Sequence, residues 1–360
     1  MQEWEYTFDP VTKADWYAQI EKELKGKSIA SLQKEWWPGE SLFPLHHFEE
    51  TTREPVVLPE RLFQSPPKLI EFADTLRMTD DEVNARLMEA LISGAQQFIL
   101  QIHGNTRIPF RLWTKDIHAE MVQWHFYPQD IGSFDLDRIP EEAKDTLCVR
   151  IPRAIRESTA DSLSIVIRKI KASPGLPLKF EYTFPSKGNW TEGAASVFRS
   201  VLSDLREWKN SGASALEFFN QCILCVDSDT DYFKLLIQIR VLHLVWHNLF
   251  AYYIPDEGIP TGYLECHIHP EGGEKPEQYL IRSSMSSLAA VLAGSSGLCI
   301  HHAAESGTPA FYRRINRNVH HLLEMESGLP RSQDVMAGAI AIDYYTRRWT
   351  EQIWDKLSLE

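Results

Sequence analysis

The sequence predicts an α/β fold of the (β/α)8 barrel type, carried behind an amino-terminal helical arm. Three observations predict it. The chain has 360 residues, more than one compact core of about 150 residues and enough for a barrel of roughly 250 residues with an extension. Eight short apolar runs recur from residue 98 onward, each of strand length. Helical stretches lie between most of them, and repeated strand-then-helix units are the mark of a barrel with a parallel sheet.

The elements follow in order. Residues 11–26 read as an amphipathic helix, with Trp16, Ile20 and Leu24 at helical spacing and Gly26 as its stop. From 27 to 67 the pattern breaks into Trp36-Trp37-Pro38-Gly39, His46-His47 and several prolines. Such an arm has little core of its own, so its tryptophans lie either on their own domain or on a partner. Trp16, Trp36 and Trp37 are the expected partner contacts. The arm is placed at 1–70 and the barrel at 71–360. The expected strands are 98–102, 122–126, 147–151, 178–184, 222–226, 263–268, 297–301 and 337–342. The expected helices are 159–172, 191–209, 232–252, 276–293 and 309–326.

Composition narrows the class. Apolar residues make up 43% and charged residues 24%, which excludes a disordered, collagenous or coiled-coil chain. The net charge of −13 argues against a large nucleic-acid interface, which needs a basic footprint. Five scattered cysteines show no disulfide framework, so a reducing compartment is expected. The amino terminus carries acidic residues where a signal peptide would be basic. The longest apolar stretch, near 288–300, is interrupted by Gly294, Ser295, Ser296 and Gly297 and is too short to span a bilayer. A cytoplasmic protein is expected.

Several residue patterns invite chemistry. Cys222 and Cys225 have the spacing of a redox or zinc half-site, but the surrounding run reads as a buried strand and no second pair follows. Asp227-Ser-Asp229-Thr-Asp231 opens like a calcium loop, then places Tyr232 where glycine is required and Gln238 where a bidentate Glu belongs. These acids instead suit the positive end of the following helix. His267 and His269 lie two apart on a strand and so share a face, and His301 ends the next strand. Together they are the candidate zinc ligands, although no carboxylate ligand is evident at a neighbouring strand end. His243 and His247 are four apart on a helix but lack the metalloprotease Glu. Glycine-rich phosphate loops are absent. Asp116-Ile-His118 matches the start of a cobalamin-ligand D-x-H-x-x-G signature, but Met121 stands at the glycine.

Three further segments carry a resemblance. Trp16-Tyr-Ala-Gln-Ile-Glu-Lys-Glu-Leu-Lys-Gly26 is similar to an opening helix W-x4-E-K-x-L-K-G, and residues 231–246 are similar to F-F-x-x-I-A-K-x-R-A-x-R-x-L-W. Arg314-Ile-Asn-Arg-Asn318, with Glu324-Met-Glu326-Ser, resembles R-I-A-R-N followed by Q-E-E-S, and 334–346 resembles D-P-W-G-G-S-Y-Y-V-E-x-L-T. In their order these motifs resemble the methylmalonyl-CoA mutase family, specifically its small (beta) subunit and only the barrel part.

Departures from the family's pattern matter equally. The catalytic subunits carry S-G-Y-H-M-Q-E-A-G-A at a strand end, where the His acts on the substrate thioester. Here Lys187-Gly-Asn-Trp-Thr-Glu-Gly-Ala194 places Gly188 at that His. No T-I-Q-N-D segment and no R-P-W-T-I-R-Q-Y-A-G arm occurs, and L-H-T-N becomes Leu298-Cys-Ile-His301. Arg282 aligns with the Arg of the family's N-N-x-x-R-T stretch and is the weak substrate-binding candidate.

The resemblance thus implies a non-catalytic small subunit with no catalytic residue and no cofactor of its own. Its large partner would bind adenosylcobalamin and interconvert methylmalonyl-CoA and succinyl-CoA; alone, the chain would be a homodimer. The cofactor carries such chemistry while protein groups bind and orient the substrate. Phe98, Trp124, Phe126, Phe180, Tyr182, Phe184 and His267 are bulky strand residues, which predicts a barrel plugged by side chains rather than one with an acyl-CoA tunnel. The rival readings are an active barrel served by a cobalamin domain in trans and a zinc-dependent barrel hydrolase. The chain is expected to lack the cobalamin-binding domain.

Overall fold

The computed structural model of the protein describes residues 11–47, 54–102, 108–128, 146–152, 178–228, 231–256, 262–271, 274–301, 309–329 and 333–357. The arm begins with helix α1 (Lys13–Glu23), whose first turn is closed by a capping box between Thr12 and Asp15. An antiparallel hairpin follows, β1 (Lys34–Trp37) and β2 (Glu40–Leu42). Beyond it the chain enters a closed barrel of eight parallel strands. They are β3 (Lys68–Asp74), β4 (Gln97–Ile102), β5 (Gln123–Pro128), β6 (Leu147–Pro152), β7 (Leu178–Phe184), β8 (Cys222–Asp227), β9 (Tyr263–Ile268) and β10 (Gly297–Ile300). Each strand pairs with the next, and β10 closes on β3 through Leu298 opposite Leu69. The (β/α)8 expectation holds.

Outside the barrel lie α2 (Asp80–Ile92), α3 (Phe110–Trp113), α4 (Trp190–Asn210), α5 (Ala215–Gln221), α6 (Tyr232–Tyr253), α7 (Pro276–Leu292), α8 (Pro309–His321) and α9 (Ile340–Trp354). α8 runs on into a π-helical turn, Leu322–Glu326. The helices expected near 191–209, 232–252, 276–293 and 309–326 are present. The one expected at 159–172 lies outside the described residues. Among the described residues no helix is long and apolar enough to cross a membrane.

The strand expected at 337–342 is absent. Residues 337–342 form a turn and the start of α9, not the eighth strand, so the motif at 334–346 does not end the barrel. The eighth barrel strand is instead β3, the first of them in the chain, which pairs with β10.

The bulky strand residues do not plug the barrel as expected. Six of the seven, all but His267, point outward, because strand side chains alternate and the large volume to be filled lies between sheet and helices. Phe184 packs on Phe198 of α4 at 5.1 Å and Phe180 on Trp208 at 5.7 Å. Trp124 meets Phe110 of α3 at 5.2 Å, and the Tyr182 hydroxyl donates to Asp204 of α4 at 2.6 Å. Phe98, Phe126 and Trp124 belong to the same helix-facing core.

The arm is bound to this core by aromatic stacking and a buried arginine. Trp36 and Trp37 sit against Trp349 of α9, with ring centroids 5.1 and 5.0 Å away, and the Trp36 indole N–H donates to Asp231 at 2.8 Å. Both tryptophans pack on their own domain; Trp37 is almost wholly buried and Trp36 is half-buried. Trp16 is half-buried, and α1 contains no buried residue. Further along, Arg240 of α6 pairs with Asp334 at 2.6 Å and donates to the Val56 carbonyl at 2.7 Å. Asp334 and Asp343 accept from the Leu58 and Val56 amides in turn.

Candidate functional site

The inner face of the barrel is polar. In β6, Leu147, Val149 and Ile151 face the helices, so Cys148, Arg150 and Pro152 face the axis. Arg150 reaches Glu265 of β9, a strand that is not its neighbour, so the contact passes through the interior. Arg150 Nη1 lies 2.7 Å from Glu265 Oε2 and Nη2 lies 2.6 Å from Oε1. Neither side chain is exposed to solvent. The same guanidinium donates to Glu181 of β7 at 3.2 Å and to Nδ1 of His125 of β5 at 2.7 Å. Gln97 donates to Glu265 at 2.9 Å and accepts from the Tyr263 hydroxyl at 2.7 Å. One network therefore ties five barrel strands together across their middle.

Burial shapes the charges of this network. It disfavours the Glu265 carboxylate, but the adjacent Arg150 and His267 together outweigh it and hold the pKa well below the ordinary value. Arg150 is held well above its own ordinary value, burial being outweighed by Glu265. His125 is pushed well down by burial and by Arg150, so it is neutral and accepts the Arg150 N–H. Burial also pushes the Cys148, Cys225 and Cys266 thiols up to about 12. These thiols are protonated, poor nucleophiles. Cys222 donates outward to the Phe218 carbonyl, whereas Cys225 faces Glu265, so the C-x-x-C pair is split between two faces.

Above the network lies the mouth at the carboxyl ends of the strands, the end where barrels of this type carry their sites. It encloses about 420 Å³, lined among others by Phe72, Tyr127, Thr183, Asp227, His267 and His301. His267, His269 and His301 converge there, with one candidate ligand atom from each lying within 4.8 Å of the others. His267 Nδ1 is 3.2 Å from His301 Nε2, and its Nε2 is 3.2 Å from Glu265. Burial opposes charge on His267, but contacts with Cys225, Cys299 and Glu265 prevail and keep its pKa well above the ordinary value. His269 stacks on His301 at 4.0 Å, and its Nε2 lies 3.2 Å from Asp227.

The three histidines read as one cluster in the sequence are thus brought together. The expectation that no carboxylate stands at a neighbouring strand end is corrected: Asp227 ends β8 and Glu265 lies within β9. Asp231, the last acid of that calcium-like run, accepts from the Lys234 amide as the cap of α6. Arg282 takes no part in the mouth. Its guanidinium is bound to Glu274 through Nε at 2.9 Å and Nη2 at 2.8 Å, and donates to the His269 carbonyl at 2.7 Å. It holds the His269 end of β9 to Glu274, just before α7.

Arg150 and Glu265 went unnoticed in the sequence, yet a signal was there. Each is a charged residue within an otherwise apolar strand, and such residues are almost never buried unless paired. The described residues offer no fit to adenosylcobalamin at the D-x-H pair: His118 is exposed on the surface, 3.1 Å from Glu120.

Residues 195–359 match the family model described as methylmalonyl-CoA mutase. A methylmalonyl-CoA mutase from Cereibacter sphaeroides is 26% identical over 189 residues, which are 49% of this chain and 26% of that protein. One from Rhizobium meliloti is 25% identical over a stretch of the same extent. The chain therefore spans about a quarter of the length of these curated relatives. Among solved structures, it is similar to a dihydropteroate synthase from Xanthomonas albilineans, with 14% identity, a TM-score of 0.38, and coverage of 72% of this chain and 94% of that one.

Proposed function

From a chain related to the methylmalonyl-CoA mutase family through its carboxyl-terminal part, residues 195–359, we propose a barrel that serves as the non-catalytic small subunit of a heterodimeric mutase. The observation that carries this reading is the Arg150–Glu265 pair, which crosses the axis with both side chains fully buried. An acyl-CoA chain threaded along that axis would have to displace a charge-paired, bidentate contact and leave two ions unpartnered, at a cost of several kcal/mol. Gly188, at the position of the family's thioester-binding His, follows β7 in a positive-φ turn and is exposed. It has no side chain with which to stabilise a thioester oxygen, a task that needs a fixed donor.

In this reading the partner is a large catalytic subunit that holds adenosylcobalamin, and no step of the isomerisation runs through this chain. The test is direct. The chain alone, mixed with adenosylcobalamin and an isolated cobalamin-binding domain, is expected to give no conversion of methylmalonyl-CoA to succinyl-CoA. Co-expressed with a large mutase subunit of its own organism, it is expected to purify as a stoichiometric complex. Turnover by the chain with the domain in trans would overturn the reading, as would failure to form that complex.

A further inference from the structure

We propose that the barrel mouth is a binding site for one divalent transition-metal ion of the zinc class, held by the imidazoles of His267, His269 and His301. Three independent features of the geometry point to it. The first is spacing. Ligands at about 2.0–2.1 Å from a tetrahedral ion lie roughly 3.3 Å from one another, and His267 Nδ1 stands 3.2 Å from His301 Nε2. The third imidazole is stacked on His301 at 4.0 Å between ring centroids, within the same 4.8 Å cluster of ligand atoms.

The second feature is orientation. Imidazole ligands of metal ions almost always give their other ring nitrogen to a carboxylate or carbonyl, which fixes the ring and its tautomer. His267 has Glu265 on its Nε2 at 3.2 Å, leaving Nδ1 directed at His301. His269 has Asp227 on its Nε2 at 3.2 Å. Glu265 is itself anchored by Arg150, so the first of these rings rests on a rigid support.

The third feature is access. Three protein ligands leave a fourth coordination position open, and the cluster borders the mouth cavity of about 420 Å³. A water or an anionic ligand has room there. The nitrogen-rich donor set suits zinc, and among ions close to it cobalt and nickel, better than magnesium or calcium. The rival occupant of the space between His267 and His301 is a proton shared by the two rings. The site stands apart from the subunit reading, since it involves neither a mutase partner nor cobalamin.

The experiment uses the full chain, stripped with a chelator and dialysed. Zinc is titrated in against a chromophoric chelator at pH 7.5, and cobalt is added separately to read its visible absorption. Saturation at one ion per chain, with an intense cobalt band of tetrahedral type, is expected. His269→Asn is expected to abolish saturation, and Asp227→Asn to weaken binding by about 10–100-fold. Both side chains are nearly half exposed, so these variants keep the fold, which far-ultraviolet dichroism and thermal melting verify. Absence of a saturable ion would overturn the proposal and leave the shared proton as the occupant. Binding of undiminished strength in His269→Asn and in His301→Asn would overturn it too.

Discussion

Arg150 and Glu265 meet at 2.6 and 2.7 Å across the barrel axis, from strands that are not neighbours, and neither is exposed. A buried pair of this kind is weak evidence for stability as such, because desolvating both ions offsets most of their attraction. Its removal by halves is a different matter. Arg150→Met leaves Glu265 and Glu181 without their cation and is expected to cost about 3–5 kcal/mol. The double variant Arg150→Met with Glu265→Met is expected to recover a large part of that loss. Urea unfolding of the single and double variants gives the coupling, and equal destabilisation in both would contradict the role assigned to the pair.

A second consequence concerns pH. His243 of α6 is buried, donates its Nε2–H to the Gly294 carbonyl at 3.0 Å, and has its pKa pushed down to about 4. Burial is the main cause; Arg240 pushes the same way, while the Gly294 bond and Asp334 push back. The unfolded chain binds this proton near pH 6.5 and the folded chain only near pH 4, so the folded state holds fewer protons between them. Stability from this group is complete above about pH 6.5, declines as pH falls and reaches its floor near pH 4. The decline is on the order of 3 kcal/mol. Unfolding curves of the wild type and His243→Gln, taken from pH 7.5 to 4, are expected to differ most in slope across that window. Parallel curves would show that His243 does not titrate there.

Gly297 opens β10 on the inner face of the barrel. A Cβ at this position would meet Ile70 Cδ1 at 2.6 Å, Glu265 Cγ at 3.2 Å and the Tyr263 hydroxyl at 3.3 Å. Ile70 can yield, but Glu265 is fixed by Arg150. Gly297→Ala is therefore expected to destabilise by about 1–3 kcal/mol through overpacking. Thermal melting checks it, and an unchanged midpoint would show that the axis network is looser than its hydrogen bonds imply.

Seven of the barrel's eight strands were legible because their outward faces carry apolar residues at a period of two. β3 was not, since Lys68-Leu-Ile-Glu-Phe-Ala-Asp74 mixes an inward lysine with an outward Glu71 that pairs with Arg86 and Arg317. That outward charge breaks the pattern. Residues 337–342, Ala-Gly-Ala-Ile-Ala-Ile, read as a strand because a short apolar run has no visible helical period. At the site, His267 and His269 were legible from their spacing alone. Asp227 reads in the sequence as a charge at the following helix, and only the register of β8 on β9 shows that it faces His269. The direction of the aromatic strand residues was likewise hidden, because either face of a barrel strand can be apolar and only the partners across the axis decide.

Arg282 braces the backbone of His269 at the end of β9. Its fork grips Glu274 while one nitrogen donates to the His269 carbonyl, so it fixes the segment between β9 and α7 that carries His269. Arg282→Ala removes both contacts and leaves Glu274, which is little exposed, without its cation. The fold is expected to persist, because the pair lies at the barrel rim and the axis network is untouched. Amide hydrogen exchange is expected to accelerate several-fold at His269, Glu271, Glu274 and Lys275, with α6 and the barrel strands unchanged. Lys, which supplies the charge without the planar fork, is expected to restore protection only in part. Zinc affinity, measured as above, is expected to fall by about tenfold, as it does when an outer-shell contact that orients a ligand is lost. If exchange at His269, Glu271, Glu274 and Lys275 is unaltered in Arg282→Ala, Arg282 does not position His269. If exchange rises while zinc affinity is unaltered, the loop is held by Arg282 but His269 is not a ligand.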